Sequence, residues 1–298
     1  MAIAAAGKGL VDLLGAAQLA GVDIGDPEEN SWLLSVARLI EGGPDTWRRA
    51  NEIAASQTGD PDLLVNEQDV RWLCPLDRVE SIRDFLAFED HVKRGAERRG
   101  TAVPEYWYEA PIYYKGNHRS INGPEDECPW PTYTDYLDFE LELAMIVGTR
   151  GRDVSTEDAP DHIFGFTVFN DFSARDVQMK EVSAWLGPAK GKDFCNSLGP
   201  CIVTADEIGA HPDLEMICRV NGEEWGHGRS GALHWSWSDM IAHVSRSENI
   251  YPVDIYGSGT PGGCCGLDLG RKLQPGDVVE LEIEKIGVLR NRIGERST

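Results

Sequence analysis

Residues 138–147 have the sequence DFELELAMIV, in which acidic and apolar side chains alternate before the segment becomes wholly apolar. Successive side chains of a β-strand point to opposite faces, so Asp138, Glu140 and Glu142 share one face. Neighbouring like charges repel each other, and three carboxylates on one face therefore require a compensating group. The segment predicts a strand with an acidic face and a buried continuation.

The acidic face has two interpretations. It could be the solvated face of an edge strand, because acidic-out and apolar-in patterns are usual in antiparallel sheets. It could instead hold a cation, because a second apolar segment, HIFGFTVFND at 162–171, ends in Asn170 and Asp171. Two carboxylates at i and i+2, with a third from a neighbouring strand end, form an oxygen-rich site that suits a hard divalent ion such as Mg²⁺.

The N-terminal part of the chain has a different pattern from the rest. Residues 1 to about 57 are predicted to be helical, and the apolar face of the first helix is formed by Leu10, Leu13, Leu14 and Ala17. We predict a small, mainly helical cap region at 1–78 and a β-rich domain at 79–298. The fold class is therefore α+β.

The second region alternates strands with a few helices. The apolar pattern predicts a helix at 81–100, with Ser81 as its cap and Phe85, Phe88 and Val92 on its inner face. Further helices are predicted at 155–161, 173–182 and 237–246. Strands are predicted at 137–148, 163–169, 200–204, 215–220 and 278–285.

Composition argues against several classes of function. The 298 residues contain 28 Lys and Arg against 50 Asp and Glu, which gives a formal charge of −22. Such a surface repels phosphate backbones, so we expect no nucleic-acid partner. The seven Cys are an odd number without a C-x-x-C pair, which indicates a reducing compartment and a cytoplasmic protein. No run of 18 apolar residues occurs, so we expect no membrane span.

The chain resembles the fumarylacetoacetate hydrolase family from about residue 80 to residue 298. The segments that carry the resemblance are RDFLAFEDHV (83–92), DYLDFELELAMIVG (135–148), HIFGFTVFNDFSARDVQ (162–178), GPAKGKDFCNSLGP (187–200) and GSGTPGG (257–263). The E-x-E strand followed by N-D-x-S-x-R-D-x-Q is specific in combination. The resemblance implies a mixed β-roll or β-sandwich core, a divalent metal and a homodimer.

The resemblance also implies roles for individual residues. The metal is Mg²⁺, with Mn²⁺ or Ca²⁺ as alternatives, and the substrate is a small 2-oxo or diketo acid. The matched positions are Glu140, Glu142 and Asp171 as metal ligands, Arg175, Gln178 and Thr260 as substrate contacts, and Lys192 as the pocket lysine. From the residues alone, Arg175 could instead pair with Asp176, and Lys192 could be solvated.

His91 is the candidate general base. Family members carry a His on a helix that covers the pocket, often with a Glu partner, and His is suited to proton transfer at neutral pH. Here Glu89 is the candidate catalytic partner of His91 in that segment, although residues two apart on a helix do not face each other. His91 could also be a helix residue at an interface.

The implied activity is metal-dependent hydrolysis of a C–C bond in a 2,4-dioxo acid, of the acylpyruvate or fumarylacetoacetate kind. Alternatives are an oxaloacetate-type decarboxylase and a 2-hydroxydienoate hydratase or isomerase of aromatic catabolism, since a metal-stabilised enolate serves each of them. An alternative of another class is a non-catalytic binding protein that retains the fold.

One position departs from the family pattern. The family commonly has Pro-Gly-Asp before the G-T loop, whereas this chain has Pro252-Val253-Asp254. Gly is preferred where a turn needs a left-handed backbone, so Val253 is expected to change the backbone there. The fit of a substrate around Thr260 is expected to differ as a result.

Overall fold

The structure is a computed structural model that describes residues 3–5, 9–26, 31–56 and 62–296. The chain divides into two compact units, one of Met1–Trp72 with Leu76–Arg78 and the other of Leu73–Pro75 with Val79–Thr298. Within the described ranges, no helix combines the length and the apolar character that crossing a membrane would need.

The first unit contains a small antiparallel sheet as well as helices. Its strands, in the spatial order β1-β2-β3, are β1 (Ile3–Ala5), β2 (Leu10–Asp12) and β3 (Leu64–Val65). Its helices are α1 (Leu13–Leu19), α2 (Val36–Glu41) and α3 (Gly43–Ser56), and a 3₁₀ turn covers Glu67–Asp69.

The helical prediction for 1–57 is therefore wrong at 3–5 and 10–12. Leu10 belongs to a strand that pairs on both sides, and the helix begins only after Asp12, whose side chain accepts a hydrogen bond from the Leu14 amide at 3.1 Å. Such a side-chain cap satisfies one of the free amides at a helix start and fixes where the helix begins. The predicted positions 1–2, 6–8, 27–30 and 57 lie outside the described residues.

The second unit is β-rich. Its strands are β4 (Ser81–Phe85), β5 (Tyr113–Gly116), β6 (Ile121–Asn122), β7 (Glu127–Trp130), β8 (Leu137–Asp138), β9 (Leu141–Val147), β10 (Gly151–Arg152), β11 (Ile163–Asn170), β12 (Ser173–Ala174), β13 (Asn196–Thr204), β14 (Glu215–Val220), β15 (Glu223–Arg229), β16 (Asn249–Ile250), β17 (Asp254–Gly257), β18 (Val278–Ile283) and β19 (Gly287–Arg296). Its helices are α4 (Glu89–Arg99), α5 (Arg175–Ser183), α6 (Ala205–Ile208), α7 (Trp237–Ser245) and α8 (Gly266–Leu269). Shorter 3₁₀ turns cover Glu105–Tyr108, Ala159–His162 and Ser230–Ala232.

Two mixed sheets organise this unit. The larger has the strand order β5-β4-β17-β9-β11-β13-β6, and the smaller has the order β15-β14-β18-β19-β7. Parallel pairs (β4 with β17, β6 with β13, β7 with β19) occur among antiparallel ones. Two-stranded pairs β10-β16 and β8-β12 complete the set. The α+β class with a mixed sheet is confirmed.

Burial separates the central strands from the one-sided ones. Every residue of β9 and β11 is buried, because both strands have neighbours on each side and are covered on both faces. In β14 and β18 buried residues alternate with partly exposed ones, which is the pattern of a sheet with one face on the core. The acidic residues of the β9 segment are thus internal, and the solvated-edge interpretation is wrong.

The predicted helix at 81–100 is wrong in its first half. Residues 81–85 form β4, which pairs in parallel with β17 and antiparallel with β5, and only Glu89–Arg99 is helical. Ser81 caps no helix; its hydroxyl donates to Asp254 Oδ1 at 2.6 Å. The helices predicted at 173–182 and 237–246 are confirmed as α5 and α7, whereas 155–161 contributes only part of a 3₁₀ turn.

Candidate metal centre and active site

Four buried carboxylates converge where the central strands of the larger sheet end. Glu142 lies in β9, Glu140 directly before it, Asp171 directly after β11, and Asp84 in β4. One oxygen from each lies within 4.8 Å of the others. Gly257 makes the approach possible, because a Cβ there would lie 2.6 Å from Asp84 Oδ1 and 2.7 Å from Glu142 Oε2.

This group has the properties expected of a divalent cation site. Oδ1 of Asp84, Oε1 of Glu142 and Oδ1 of Asp171 are buried without a hydrogen-bond partner. Buried polar atoms are rarely left unpaired, and such exceptions call for a bound ion or water. Burial and the neighbouring carboxylates raise the pKa of Asp84 and that of Glu142 well above their ordinary values. An all-oxygen donor set of this charge fits Mg²⁺, Mn²⁺ or Ca²⁺.

Two buried cations balance part of the negative charge. The Lys192 ammonium donates to Glu140 Oε2 at 2.5 Å and also to the Asp171 carboxylate. The Arg175 guanidinium donates from Nη2 to Glu140 Oε1 at 2.9 Å. Burial alone would raise the pKa of Glu140, but the charges of Arg175 and Lys192 outweigh it and lower the pKa below its usual range. Positive side chains therefore neutralise Glu140 and Asp171, whereas no positive side chain pairs with Asp84 or Glu142 in the described structure.

Arg175 is itself held from behind. Its Nε donates to Asp138 Oδ2 at 2.8 Å, and Asp138 also accepts the amides of Gly266 and Leu267 at 2.8 and 2.9 Å. Arg175 Nη1 donates to Gln178 Oε1 at 3.1 Å. Arg175 therefore links Glu140 of the carboxylate cluster to Gln178. Its ion-pair partners are Asp138 and Glu140, and not Asp176 as the alternative interpretation had it.

The G-S-G-T loop meets the cluster through its backbone. The Gly259 amide donates to Glu142 Oε2 at 2.9 Å. Thr260 is buried, and its hydroxyl donates to the Cys264 carbonyl at 3.2 Å, within its own loop. Thr260 therefore follows directly on Gly259, the residue whose amide contacts the carboxylate cluster.

His91 has a carboxylate partner, and it is not Glu89. Nδ1 of His91 lies 2.8 Å from Oδ2 of Asp268, whose side chain is inaccessible to solvent. Burial would raise the pKa of Asp268, but hydrogen bonds and charge from His91, together with Arg98 and the Gly263 amide, lower it to about 2. A His held by an ionised carboxylate is the usual arrangement of a general base.

Glu89 lies apart from this pair. It is half-buried, its carboxylate is 2.9 Å from the Lys93 ammonium, and it accepts the Tyr108 hydroxyl at 2.8 Å. The hydrogen bond from the Lys93 ammonium is the main reason why the pKa of Glu89 lies below its ordinary value. The structure does not bring Glu89 to His91, because positions two apart on α4 face different directions.

Sequence reasoning missed three residues of the site. They are Asp84, the fourth carboxylate, Asp138 as the anchor of Arg175, and Asp268 as the partner of His91. Asp84 was hidden because 81–85 was predicted as helix. For Asp138 there was a signal, because it shares the acidic face with Glu140 and Glu142. For Asp268 we find no local signal in GGCCGLDLG.

Comparisons with known proteins show the family of the chain. The family model described as fumarylacetoacetate (FAA) hydrolase C-terminal matches residues 80–294. The human protein named oxaloacetate tautomerase FAHD2A, mitochondrial, is 33% identical over 265 residues, which are 87% of this chain and 79% of that protein. A 2,4-didehydro-3-deoxy-L-rhamnonate hydrolase of Sphingomonas sp. (strain SKA58) is 34% identical over 250 residues, 82% of this chain and 84% of that one.

A solved structure supports the same assignment. The fumarylacetoacetate hydrolase of Exiguobacterium antarcticum superposes with a TM-score of 0.71 at 30% identity and covers 88% of each chain. The family match begins at Glu80, immediately before β4, which carries Asp84. The match, the relatives and the carboxylate site together establish that this chain is an enzyme of the fumarylacetoacetate hydrolase family.

Proposed function

We propose that the enzyme hydrolyses a C–C bond in a 2,4-dioxo acid. The observation that carries the proposal is the His91–Asp268 pair beside the carboxylate cluster, because hydrolysis needs a base for water and the competing decarboxylation does not. The rhamnonate-derived hydrolase supports the substrate class, since its name describes hydrolysis of a 2,4-didehydro acid.

Each residue of the site has a proposed part. Asp268 holds Nδ1 of His91, which leaves Nε2 to take a proton from water. The hydroxide adds to the distal carbonyl carbon, the adjacent C–C bond breaks, and its electron pair passes to the 2-oxo acid fragment as an enolate. That fragment takes up a proton at carbon, so the products are a carboxylic acid and a 2-oxo acid.

The remaining residues would bind and orient the substrate. Lys192, held by Glu140 and Asp171, presents a positive charge to the developing oxyanion, and Gln178 offers its amide. Thr260 would contact the substrate carboxylate. Arg175, which is engaged by Asp138 and Glu140, keeps Gln178 in place.

Asp84, Glu140, Glu142 and Asp171 would hold the cation, and we propose Mg²⁺ as the native ion, with Mn²⁺ and Ca²⁺ as alternatives. When bound, such an ion supplies Lewis-acid stabilisation of enolate charge. The orphaned oxygens of Asp84, Glu142 and Asp171 support a cation of this class.

A second candidate is keto–enol tautomerisation of an oxaloacetate-type acid. The 33% identical human relative carries that name, and a base beside the cluster can move a proton between carbon and oxygen. Decarboxylation of the same acid, and hydration or isomerisation of 2-hydroxydienoates, remain the further alternatives within this chemistry.

One assay distinguishes these activities. The enzyme is stripped with a chelator and resupplied with Mg²⁺ or Mn²⁺, and loss of enol absorbance is followed for acylpyruvates, fumarylacetoacetate-like acids and oxaloacetate. A carboxylic acid released in equal amount with pyruvate from an acylpyruvate, or with acetoacetate from a fumarylacetoacetate-like acid, would support hydrolysis. Enol interconversion of oxaloacetate without release of pyruvate would support the tautomerase, and pyruvate formed from oxaloacetate alone would indicate a decarboxylase.

The assembly and the location are also proposals. We propose a homodimer, which light scattering coupled to size-exclusion chromatography would test. We propose a cytoplasmic location, supported by the odd number of cysteines, seven, without a C-x-x-C pair; the human relative is named mitochondrial, and fractionation of the source cells would decide. We keep the predicted boundary at 78/79 and the cap role of 1–78 as proposals.

A further inference from the structure

A second group of metal-ligating side chains adjoins the carboxylate cluster. One ligand atom from each of His91, Cys265 and Asp268 lies within 4.8 Å of the others. The Cys265 backbone pairs with Glu140, so the two groups are next to each other. The donors here are nitrogen, sulfur and oxygen, whereas the neighbouring cluster offers oxygen only.

We propose that His91, Cys265 and Asp268 form a second, distinct site for a thiophilic divalent cation, of which Zn²⁺ is the type. Imidazole and thiolate are the ligands that Zn²⁺ prefers, and Mg²⁺ prefers oxygen. Three protein ligands with a water in the fourth position are a common zinc arrangement. The adjacent Cys264 does not compete for this role, because its thiol pairs with Cys218.

The geometry requires only a small local adjustment. Zinc–ligand bonds of about 2.0–2.3 Å in a tetrahedron place the ligand atoms about 3.3–3.8 Å apart. The His91–Asp268 pair, now at 2.8 Å, would open slightly, and the Cys265 ligand atom already lies within 4.8 Å of both partners. The Cys265 thiol would lose its proton to solvent on binding, as thiols do when they coordinate a metal.

Electrostatics also favour a cation. Arg98 donates to Asp268 Oδ1 at 2.6 Å and opposes a further positive charge there. The surrounding carboxylates nevertheless outnumber the cations; the acids are Asp84, Asp138, Glu140, Glu142, Asp171 and Asp268, and the bases are Arg98, Arg175 and Lys192. The excess of negative charge persists when one divalent ion occupies the carboxylate cluster.

Occupation of this site would inhibit the enzyme. The ion would take the imidazole and the carboxylate that form the base pair, so water would no longer be activated. This consequence rests on the proposed function, whereas the binding itself does not.

Cobalt spectroscopy tests the binding. The full-length enzyme is saturated with Mg²⁺ and titrated with Co²⁺, whose bond to a thiolate gives a charge-transfer band in the near ultraviolet. We expect one such ion per chain, displaced by Zn²⁺. The band should disappear in Cys265→Ser and persist in the matched control Cys264→Ser. It should also persist in Glu142→Gln, which changes the carboxylate cluster and none of the three proposed zinc ligands.

Affinity and inhibition complete the test. Loss of Cys265 should weaken Zn²⁺ binding by at least about 100-fold, since even indirect partners of metal ligands are worth ~10–100-fold. Absence of the band, or an equal band in Cys265→Ser, would overturn the proposal. If Cys265→Ser fails to fold, X-ray absorption of the Zn²⁺-loaded native enzyme decides, because a sulfur scatterer at about 2.3 Å is required. An enzyme that shows the band but turns over no 2-oxo acid would refute the proposed hydrolysis alone.

Discussion

His91 and Asp268 lie 177 positions apart in sequence, yet Nδ1 of the imidazole is 2.8 Å from Oδ2 of the carboxylate. Asp268 is further fixed by Arg98 at 2.6 Å and by the Gly263 amide at 3.0 Å. A carboxylate that accepts from Nδ1–H selects the tautomer in which Nε2 is free to accept a proton. Helix α8, which carries Asp268, therefore orients the base carried by α4.

Asp268→Asn should lower kcat for hydrolysis by about 100-fold or more, because general bases contribute ~10²–10⁴-fold and the amide cannot hold the same tautomer. The control is Asp90→Asn, which removes an exposed ion pair with Arg94 on α4, the helix that carries His91. This variant should change kcat little. Steady-state kinetics on the best diketo acid measure both. An Asp268→Asn enzyme with native kcat would remove the base pair from the mechanism.

The same substitution should change the response to acid. The pKa of Asp268 is lowered to about 2, below the ~3.9 of an unfolded Asp, so the unfolded chain binds the proton first. The contribution of ionised Asp268 to the unfolding free energy is present above about pH 4 and is lost as the pH falls to about 2. The difference in unfolding free energy between wild type and Asp268→Asn should therefore shrink by about 1–2 kcal/mol from pH 5 to pH 2.5. Urea titrations at both pH values measure it, and a constant difference would contradict the ionised pair.

Magnesium should stabilise the enzyme more at pH 8 than at pH 5. Burial and neighbouring acids raise the pKa of Asp84 and of Glu142, so the folded metal-free protein binds these protons more tightly than the unfolded chain. Its stability therefore falls as the pH rises above about 4, the unfolded pKa of carboxyl groups. A bound cation offsets that penalty. Thermal unfolding in chelator and in Mg²⁺ should show a gap that widens with pH; a gap that is the same at both pH values would contradict this account.

Glu142→Gln should remove about half or more of the stabilisation by magnesium. Saturation at 100 times Kd stabilises a protein by about 2.7 kcal/mol, and at least tenfold weaker binding cuts this by about 1.3 kcal/mol. Without metal at pH 8 the variant should be more stable than wild type, because an uncompensated buried charge is gone. Glu282→Gln, which breaks a half-exposed pair with Arg219, is the control. A wild-type Mg²⁺ response in Glu142→Gln would show that the ion binds elsewhere.

Glu181 positions the loop that carries Lys192. Its carboxylate accepts the amides of Ala189, Lys190 and Gly191 at 2.9, 2.7 and 3.1 Å. Glu181→Gln should lower kcat about tenfold and change the melting temperature little, since small misplacements of a catalytic group are costly in rate. Glu207→Gln, exposed on α6, is the control. Equal kcat values for the two variants would show that the loop needs no such anchor.

The parts of the site that were predictable lie on locally regular segments. Glu140, Glu142 and Asp171 follow from alternation along one strand and from the end of another, and the structure brings them together. Alternation is a local property, so one sequence is enough to show it. The resemblance supplied Lys192, and the structure places its ammonium on two of the same carboxylates.

The parts that were not predictable depend on distant partners. Strand β4 buries Arg83 and Asp84, and Arg83 is paired with Glu248 at 2.5 Å and with Asp254, both far along the chain. Two adjacent charged residues such as Arg83 and Asp84 favour an exposed helix when only the local sequence is considered. The segment becomes a strand because neighbouring strands pair with it. Asp268 is a similar case, because its role is set by the tertiary approach of α4.

Val253 provides the final test, because strain and burial act there in opposite directions. Its φ is +72°, a left-handed conformation that is unfavourable for a β-branched residue, yet its side chain is fully buried. The structure thus keeps the backbone that glycine would adopt, and the expectation that Val253 changes this backbone is wrong. The Val253 amide donates to the Val147 carbonyl at 2.9 Å, which holds the turn in place.

At Val253 the usual order of stability of an alanine and a glycine variant should be reversed. Val253→Ala loses about 1.5–2 kcal/mol of buried apolar surface and keeps the strain. Val253→Gly loses slightly more surface and some chain entropy, but it relieves about 1–3 kcal/mol of strain. We therefore expect the glycine variant to be as stable as the alanine variant or up to about 1 kcal/mol more stable, and both to be less stable than wild type. Elsewhere in a strand or helix glycine is the less stable by ~0.5–1 kcal/mol, so urea unfolding that gave this ordinary order would show that the turn at Val253 is not strained.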